Sequence, residues 1–231
     1  MLVLGIESST PVASVALADS RGLVAEITLN IGLTHSEQLL PLIADLLEQA
    51  RLELAQVEGI AIASGPGSFT GLRIGMATAK ALAQGARKPL VAVPTLEALA
   101  YTQCSSGGLV SPVMNARRQE VYTALFSFQG QDAQEIEPAQ AIDPAKWVQV
   151  LAGYHKPVIL VGDGVEVYSQ EWASLGERAV LPPAVQLGVR AGAVAWLGRK
   201  RLLNGETDDL YSLKPYYIRP VEAQARLTRE N

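Results

Sequence analysis

The segment Ser64 to Gly75, SGPGSFTGLRIG, constrains this chain more than any other stretch. It puts Gly65, Gly67, Gly71 and Gly75 at the junction of an apolar run, Gly59 to Ala63, and a helix-patterned segment, Gly71 to Gln84. Glycines at such a junction let the backbone fold back tightly and turn amides toward a helix start. The next apolar run, Leu90 to Val93, completes strand, helix, strand, which predicts parallel pairing through a crossover helix. A P-loop is excluded because no Gly-Lys-Ser/Thr follows, and the dinucleotide-binding glycine spacing is absent as well. Two uses of the glycines stay open. One is an anion held at the helix start; the other is close packing along the face of Gly71, Gly75 and Ala79, within the chain or between chains.

Upstream, three strands are predicted, Leu2 to Glu7, Val12 to Ala18 and Leu23 to Leu29, separated by the turn-rich stretches SSTP and DSRG. Thr34 and Glu37 form a capping box, and Leu39, Ile43, Leu46, Leu47 and Ala50 recur at helical spacing, so a helix is expected from Ser36 to Arg51, bent by Pro41. A further helix from Thr95 to Gln103 ends the first half, and SSGG at 105–108 marks the boundary between units 1–104 and 105–231. The second half is a weaker echo: strands Leu109 to Met114, Glu120 to Phe128 and Val158 to Val161, helices Pro144 to Leu151 and Val165 to Leu175. The polar stretch Gln129 to Ala141 carries no predicted element. A last helix, Gly188 to Leu203, leads into LKPYYIRP and a tail expected to fray or to pack back on the first unit.

Of the 231 residues, 48% are hydrophobic and 18% charged, enough apolar material for a real core. A formal net charge of −4 disfavours a chain that grips nucleic acid by itself. The basic group Arg199, Lys200, Arg201 with Lys214, Arg219, Arg226 and Arg229 following reads as a solvated helix end rather than an RNA patch. Cys104 is alone, so no internal disulfide is expected; no basic leader and no membrane-length apolar run are seen, which points to the cytoplasm. His35 and His155 are far apart, so no metal site is expected.

Three segments are candidates for chemistry. In IESST at 6–10, Glu7 precedes Ser9 and Thr10 in a turn between strands; the hydroxyls and amides suit phosphate oxygens or simply bond their own backbone. With Gly65, Gly67 and Ser68 of the glycine-rich segment they make a candidate nucleotide site, vestigial or shared. In NARRQEVYTALF at 115–126, Arg117 and Glu120 either pair across a hairpin or face a cleft or a partner. No Gly-x-Ser-x-Gly elbow supports a serine hydrolase.

LGIESSTPVASVAL, SGPGSFTGLRIG, NARRQEVYTALF and the late PYYIR together resemble the TsaB (YeaZ) family, over most of the chain. The resemblance implies a two-lobed α/β fold of the actin/Hsp70/sugar-kinase (ASKHA) type, with mixed sheets flanked by helices. It implies a non-catalytic subunit beside a TsaD-type catalytic paralogue and a TsaE-type ATPase, which together place threonylcarbamoyl on N6 of the adenosine beside the tRNA anticodon. No cofactor of its own is implied, with ATP or ADP held in the complex, tRNA met only through the complex, and a homodimer when the chain is alone. Of the histidine pair at i, i+4 that binds metal in the catalytic subunit, His35 falls in the matching region, but Leu39 stands where the second would be, so that site is not expected to form as such.

The family places the partner contact on the two N-terminal helices, here Leu39, Leu42, Ile43 and Leu46 on the first, and Gly71, Arg73, Gly75, Met76 and Ala79 on the second. Leu39, Leu40, Leu42, Ile43, Leu46 and Leu47 make an apolar surface wider than one core-facing stripe needs. On this reading Gly75→Leu blocks assembly and leaves the monomer folded. The competing readings are a kinase-like ATPase or phosphotransferase, which needs acidic ligands beyond Glu7 and a second phosphate loop for which VGDGVE at 161–166 is the nearest match, and an M22-type metallopeptidase.

Overall fold

The computed structural model describes residues 1–31, 35–184 and 188–219. Thr34, the expected helix cap, lies outside them. The first lobe is built from β1 (Val3–Glu7), β2 (Ala13–Asp19), β3 (Gly22–Leu29), α1 (His35–Ala50), β4 (Gly59–Ala63), α2 (Phe69–Ala86), β5 (Leu90–Val93) and α3 (Thr95–Tyr101). Its sheet runs β3-β2-β1-β4-β5, with β1, β2 and β3 antiparallel and β4 and β5 added in parallel.

The second lobe repeats this plan. It comprises β6 (Leu109–Asn115), β7 (Val121–Gln129), β8 (Asp132–Ile142), α4 (Pro144–Ala152), β9 (Val158–Val161), α5 (Gly164–Val167), α6 (Ser169–Ala173), β10 (Ala179–Val180) and α7 (Ala191–Leu203). The strand order β10-β9-β6-β7-β8, with the same parallel and antiparallel pairings, superposes element for element on the first in topology. The echo in sequence is thus a duplication in architecture. The stretch read as element-free contains β8, an edge strand with no fully buried position, so it shows no apolar alternation for a sequence reading to detect.

Alternation along the central strands sorts the core into two kinds of face. Leu4, Ile6, Ile60 and Ile62 point with Val15 and Leu17 into a cluster closed by Leu39, Leu42, Ile43 and Leu46 of α1 and Met76 and Ala79 of α2. The opposite face carries small residues. A Cβ on Gly5 would sit 2.5 Å from the Ala191 carbonyl and 2.6 Å from the Ala195 amide, and one on Gly198 would collide with Ala61. Helix α7 therefore lies almost on the backbone of the first sheet. Two of its free N-terminal amides are met from that sheet, Ala191 N donating to Ser14 Oγ at 3.1 Å and Gly192 N to Glu26 Oε1 at 2.7 Å.

The terminal helix of each lobe packs on the other lobe's sheet: α3 on β6, β7 and β8, α7 on β1, β2, β4 and β5, with the two helices touching. The two sheets fall on either side of residue 105, while α7 packs on the first sheet. The three basic residues at its end are used internally. Arg201 bonds the Ala92 carbonyl and Glu97, Arg199 the Met1 carbonyl, and Lys200 pairs with Asp132. Among the described residues no helix is long and apolar enough to cross a membrane.

Candidate functional site

All three chemistry-bearing segments meet at one place. A cleft of about 630 Å³ between the lobes is lined by Ser9 and Thr10 from the β1–β2 turn, Gly67, Ser68 and Thr70 at the start of α2, and Asn115 and Arg117 from the end of β6 and the turn after it. Asp163, from the stretch after β9, joins them. Glu7 and Gly65 do not line it.

The β1–β2 turn is satisfied from inside. Glu7, fully buried, takes the Ser9 amide at 2.6 Å and the Ser9 hydroxyl at 2.5 Å on Oε1, while Oε2 has no hydrogen-bond partner among the described residues. Burial outweighs the hydrogen bonds from Ser9 and Thr10 and pushes its carboxyl up to about 7. The Thr10 hydroxyl turns back to its own backbone at Val12, and the Thr10 carbonyl is met by His35 Nε2 at 2.7 Å, which must be the donor in this pair. Donors that suit a phosphate are therefore already holding a carboxylate of the same chain.

The glycine-rich segment is spent in the same way. Gly65 N donates to Thr95 Oγ1 at 3.0 Å, Ser68 N to the Ser9 carbonyl at 2.6 Å, and Gly71 N to Ser68 Oγ at 3.3 Å, capping α2. A Cβ at Gly67 would strike the Ser9 carbonyl, one at Gly71 the Ser8 carbonyl, and one at Gly75 the Ser8 hydroxyl. The small-residue face is for packing inside the chain. This corrects the assignment of Gly71, Gly75, Met76 and Ala79, and of Leu39, Leu42, Ile43 and Leu46, to a partner surface: all are buried in the monomer. Gly75→Leu would disrupt the fold itself. Of that set Arg73 is exposed; the exposed positions of the two helices include Leu40, 57% exposed, Pro41 and Ala44 on α1 and Thr70, Arg73, Ala77 and Ala81 on α2, beside polar and charged ones such as Asp45, Glu48, Gln49 and Gln84.

On the other side of the cleft, Arg117, Arg118 and Gln119 have φ of 58°, 52° and 60°, three successive left-handed residues without a glycine. Glu120 pairs with Arg219, whose guanidinium also donates to the Ala116 carbonyl at 3.2 Å. Arg219 carries no sequence sign of a site role because its partner Glu120 lies in a distant segment; it stands out only as part of the late basic group and of PYYIR. Asp163 accepts from Asn115 N at 2.9 Å, and burial raises its carboxyl above the usual range. Among the described residues no cluster of three or more His, Cys, Asp or Glu is placed to hold a metal.

Two lobes of duplicated topology with a cleft between them define an actin/Hsp70/sugar-kinase-like protein, and solved structures agree. A ROK hexokinase from Thermus thermophilus matches with a TM-score of 0.51 at 14% identity, over 87% of this chain and 99% of that one, a likeness of fold alone. A Pseudomonas aeruginosa protein described as similar to the peptidase YeaZ matches with a TM-score of 0.83 at 26% identity, over 94% of this chain and 99% of that one. The family model for TsaD, tRNA N6-adenosine threonylcarbamoyltransferase, matches residues 20–207. The tRNA threonylcarbamoyladenosine biosynthesis protein TsaB of Bacillus subtilis is 32% identical over 98% of this chain and 97% of its own length. This chain belongs to the TsaB (YeaZ) family, within the wider group that the TsaD model describes.

Proposed function

We propose that this chain serves threonylcarbamoyladenosine formation on tRNA as a non-catalytic subunit, docking a TsaD-type catalytic paralogue through the outward face of α1 and α2. Its relatives' names supply the process. The observation that carries the non-catalytic role is the internal occupation of the cleft's donors: Glu7 holds Ser9, and Ser9 holds Ser68. A nucleotide would have to displace the chain's own carboxylate, so ATP or ADP belongs to the assembled complex, with a TsaE-type ATPase, and tRNA is met through that complex. The outward face of α1 and α2 carries Leu40 in solvent together with the small residues Ala44, Ala77 and Ala81, which suits close approach of another chain. In the partner's absence the same face closes a homodimer.

The test is light scattering on a sizing column, with the chain alone and with the paralogue. Leu40→Asp should convert both the homodimer and the heteromer to monomers while the melting temperature of the monomer stays unchanged. Assembly of the variant at the wild-type concentration dependence would misplace the interface. Nucleotide turnover by the isolated wild-type chain would replace this reading with the kinase-like one.

A further inference from the structure

The segment after α7 does more than trail away from the fold. Asp208 caps the free edge of β5, its amide donating to the Leu90 carbonyl at 2.8 Å and its carboxylate accepting from Ala92 N at 2.7 Å. The chain then crosses α2, where Lys80 Nζ reaches the Leu213 carbonyl at 2.6 Å. Tyr216 N donates to the Ser64 carbonyl at 2.7 Å, and the Tyr216 carbonyl lies where any Cβ on Gly65 would have to be. Tyr217 stacks on Phe69 with ring centroids 5.3 Å apart and accepts from Arg73 Nε at 3.2 Å, so it sits at the edge of the outward face of α2. Two residues later Arg219 has left the first lobe. It pairs with Glu120 and bonds Ala116, the two residues that bracket the left-handed turn, and lies 5.7 Å over the Tyr122 ring.

We infer that Tyr216 to Arg219 form a strap that holds the 116–120 turn in its left-handed form, keeps Arg117 in the cleft, and ties that placement to the outward face of α2. The three residues between the clamped ends occupy a conformation that non-glycine residues leave when nothing restrains them. Bonds at the turn include Ala116 N to the Glu120 carbonyl, Glu120 N to the Arg117 carbonyl, Arg117 N to Asn115 Oδ1, and the Tyr168 hydroxyl to the Glu120 carbonyl at 3.4 Å. Arg219 supplies the restraint from the other lobe. Because one end of the strap stacks on α2 and the other grips the turn, anything that lifts Tyr217 also slackens the turn, and the converse holds by reciprocity. This link is a property of the chain alone and does not depend on which partner α2 meets.

Hydrogen exchange of residues 115–121, read by mass spectrometry on the isolated chain, tests it. Arg219→Ala should speed exchange at the turn by roughly three- to tenfold, the range for loss of a partly buried ion pair and its hydrogen bond. Tyr217→Ala, far from the turn, should speed the same peptide by a smaller factor and also loosen the 64–70 segment. Urea melts of both variants separate local loosening from global loss of stability, and Arg219→Lys, which keeps the charge without the fork, should restore only part of the protection. Unchanged turn exchange in Tyr217→Ala, with the strap shown to be lifted at 64–70, would overturn the coupling. Unchanged exchange in Arg219→Ala would overturn the clamp.

Discussion

The two turns that open the lobes, β1–β2 and β6–β7, occupy corresponding places in a duplicated fold and are held by opposite means. The first is pinned from within: a buried carboxylate two residues upstream takes the turn's amide and hydroxyl, and α2 closes over it through glycines. The second is strained and held from without, by an arginine from the far end of the sequence. One half of the cleft has thus become fixed scaffold, while the other keeps its shape only as long as a distant segment stays seated. The same frame occurs twice, one copy's turn held from within and the other's dependent on a distant segment.

The sharpest way to break the comparison is to attack the pinned turn where it has no room. Gly75→Leu should cost about 3 kcal/mol or more and give insoluble or unfolded protein, because the buried Ser8 side chain, its hydroxyl bonded to the Gly71 carbonyl, and Ile62 leave it no room. A soluble variant with a wild-type thermal melt would show that α2 is not seated on that turn as described.

The next effect is smaller and depends on pH. Glu7 has its carboxyl raised to about 7 in the fold against 4.5 when exposed. The folded chain therefore keeps a proton that the unfolded chain loses, and the contribution of Glu7 is most favourable below 4.5, falls between 4.5 and 7, and is flat above. Over the whole window the loss amounts to about 3 kcal/mol. Glu7→Gln retains an acceptor for Ser9 and abolishes the charge, so urea denaturation should find it more stable than wild type at pH 8 and nearly equal at pH 4.5. Equal stability at both pH values would mean that Glu7 is solvated in a way its burial does not allow.

The smallest effect sharpens the comparison from the strained side. Gln119 is exposed and left-handed, so Gln119→Gly should stabilise by about 0.5–1 kcal/mol, whereas Gly substitutions in the β1–β2 turn should not. A loss of stability in Gln119→Gly, seen by the same urea melts, would show that the turn is not under strain.

Much of the frame was legible because the central strands are short unbroken apolar runs, bounded by turn chemistry that leaves little choice of register. The helices α1 and α2 were legible as helices but not in which way they face. Helix α1 rests on β2 and β3 and also against α2, so it needs an apolar stripe broad enough for two neighbours, and that breadth imitates a docking surface. Leu39 and Leu40 are adjacent in sequence, one fully buried and the other in solvent, and periodicity over so wide a stripe does not separate them. The glycines gave the location of the close approach but not its target, which is the Ser8 and Ser9 backbone some sixty positions earlier. Arg219 was the hardest case: a cation near a chain end carries no local sign that its carboxylate lies in the other lobe.

The exchange of terminal helices between the lobes bears on how the molecule is made. As the chain leaves the ribosome, the first sheet emerges complete by Val93, with α1 and α2 ready for one face, yet its other face is a shallow floor of Gly5, Ala16, Ala18 and Ala61 that only residues 191–203 fit. About 100 further residues are synthesised before that cover exists. The first sheet is thus covered only after the second has been made, and during the interval its bare face is the surface a chaperone would meet.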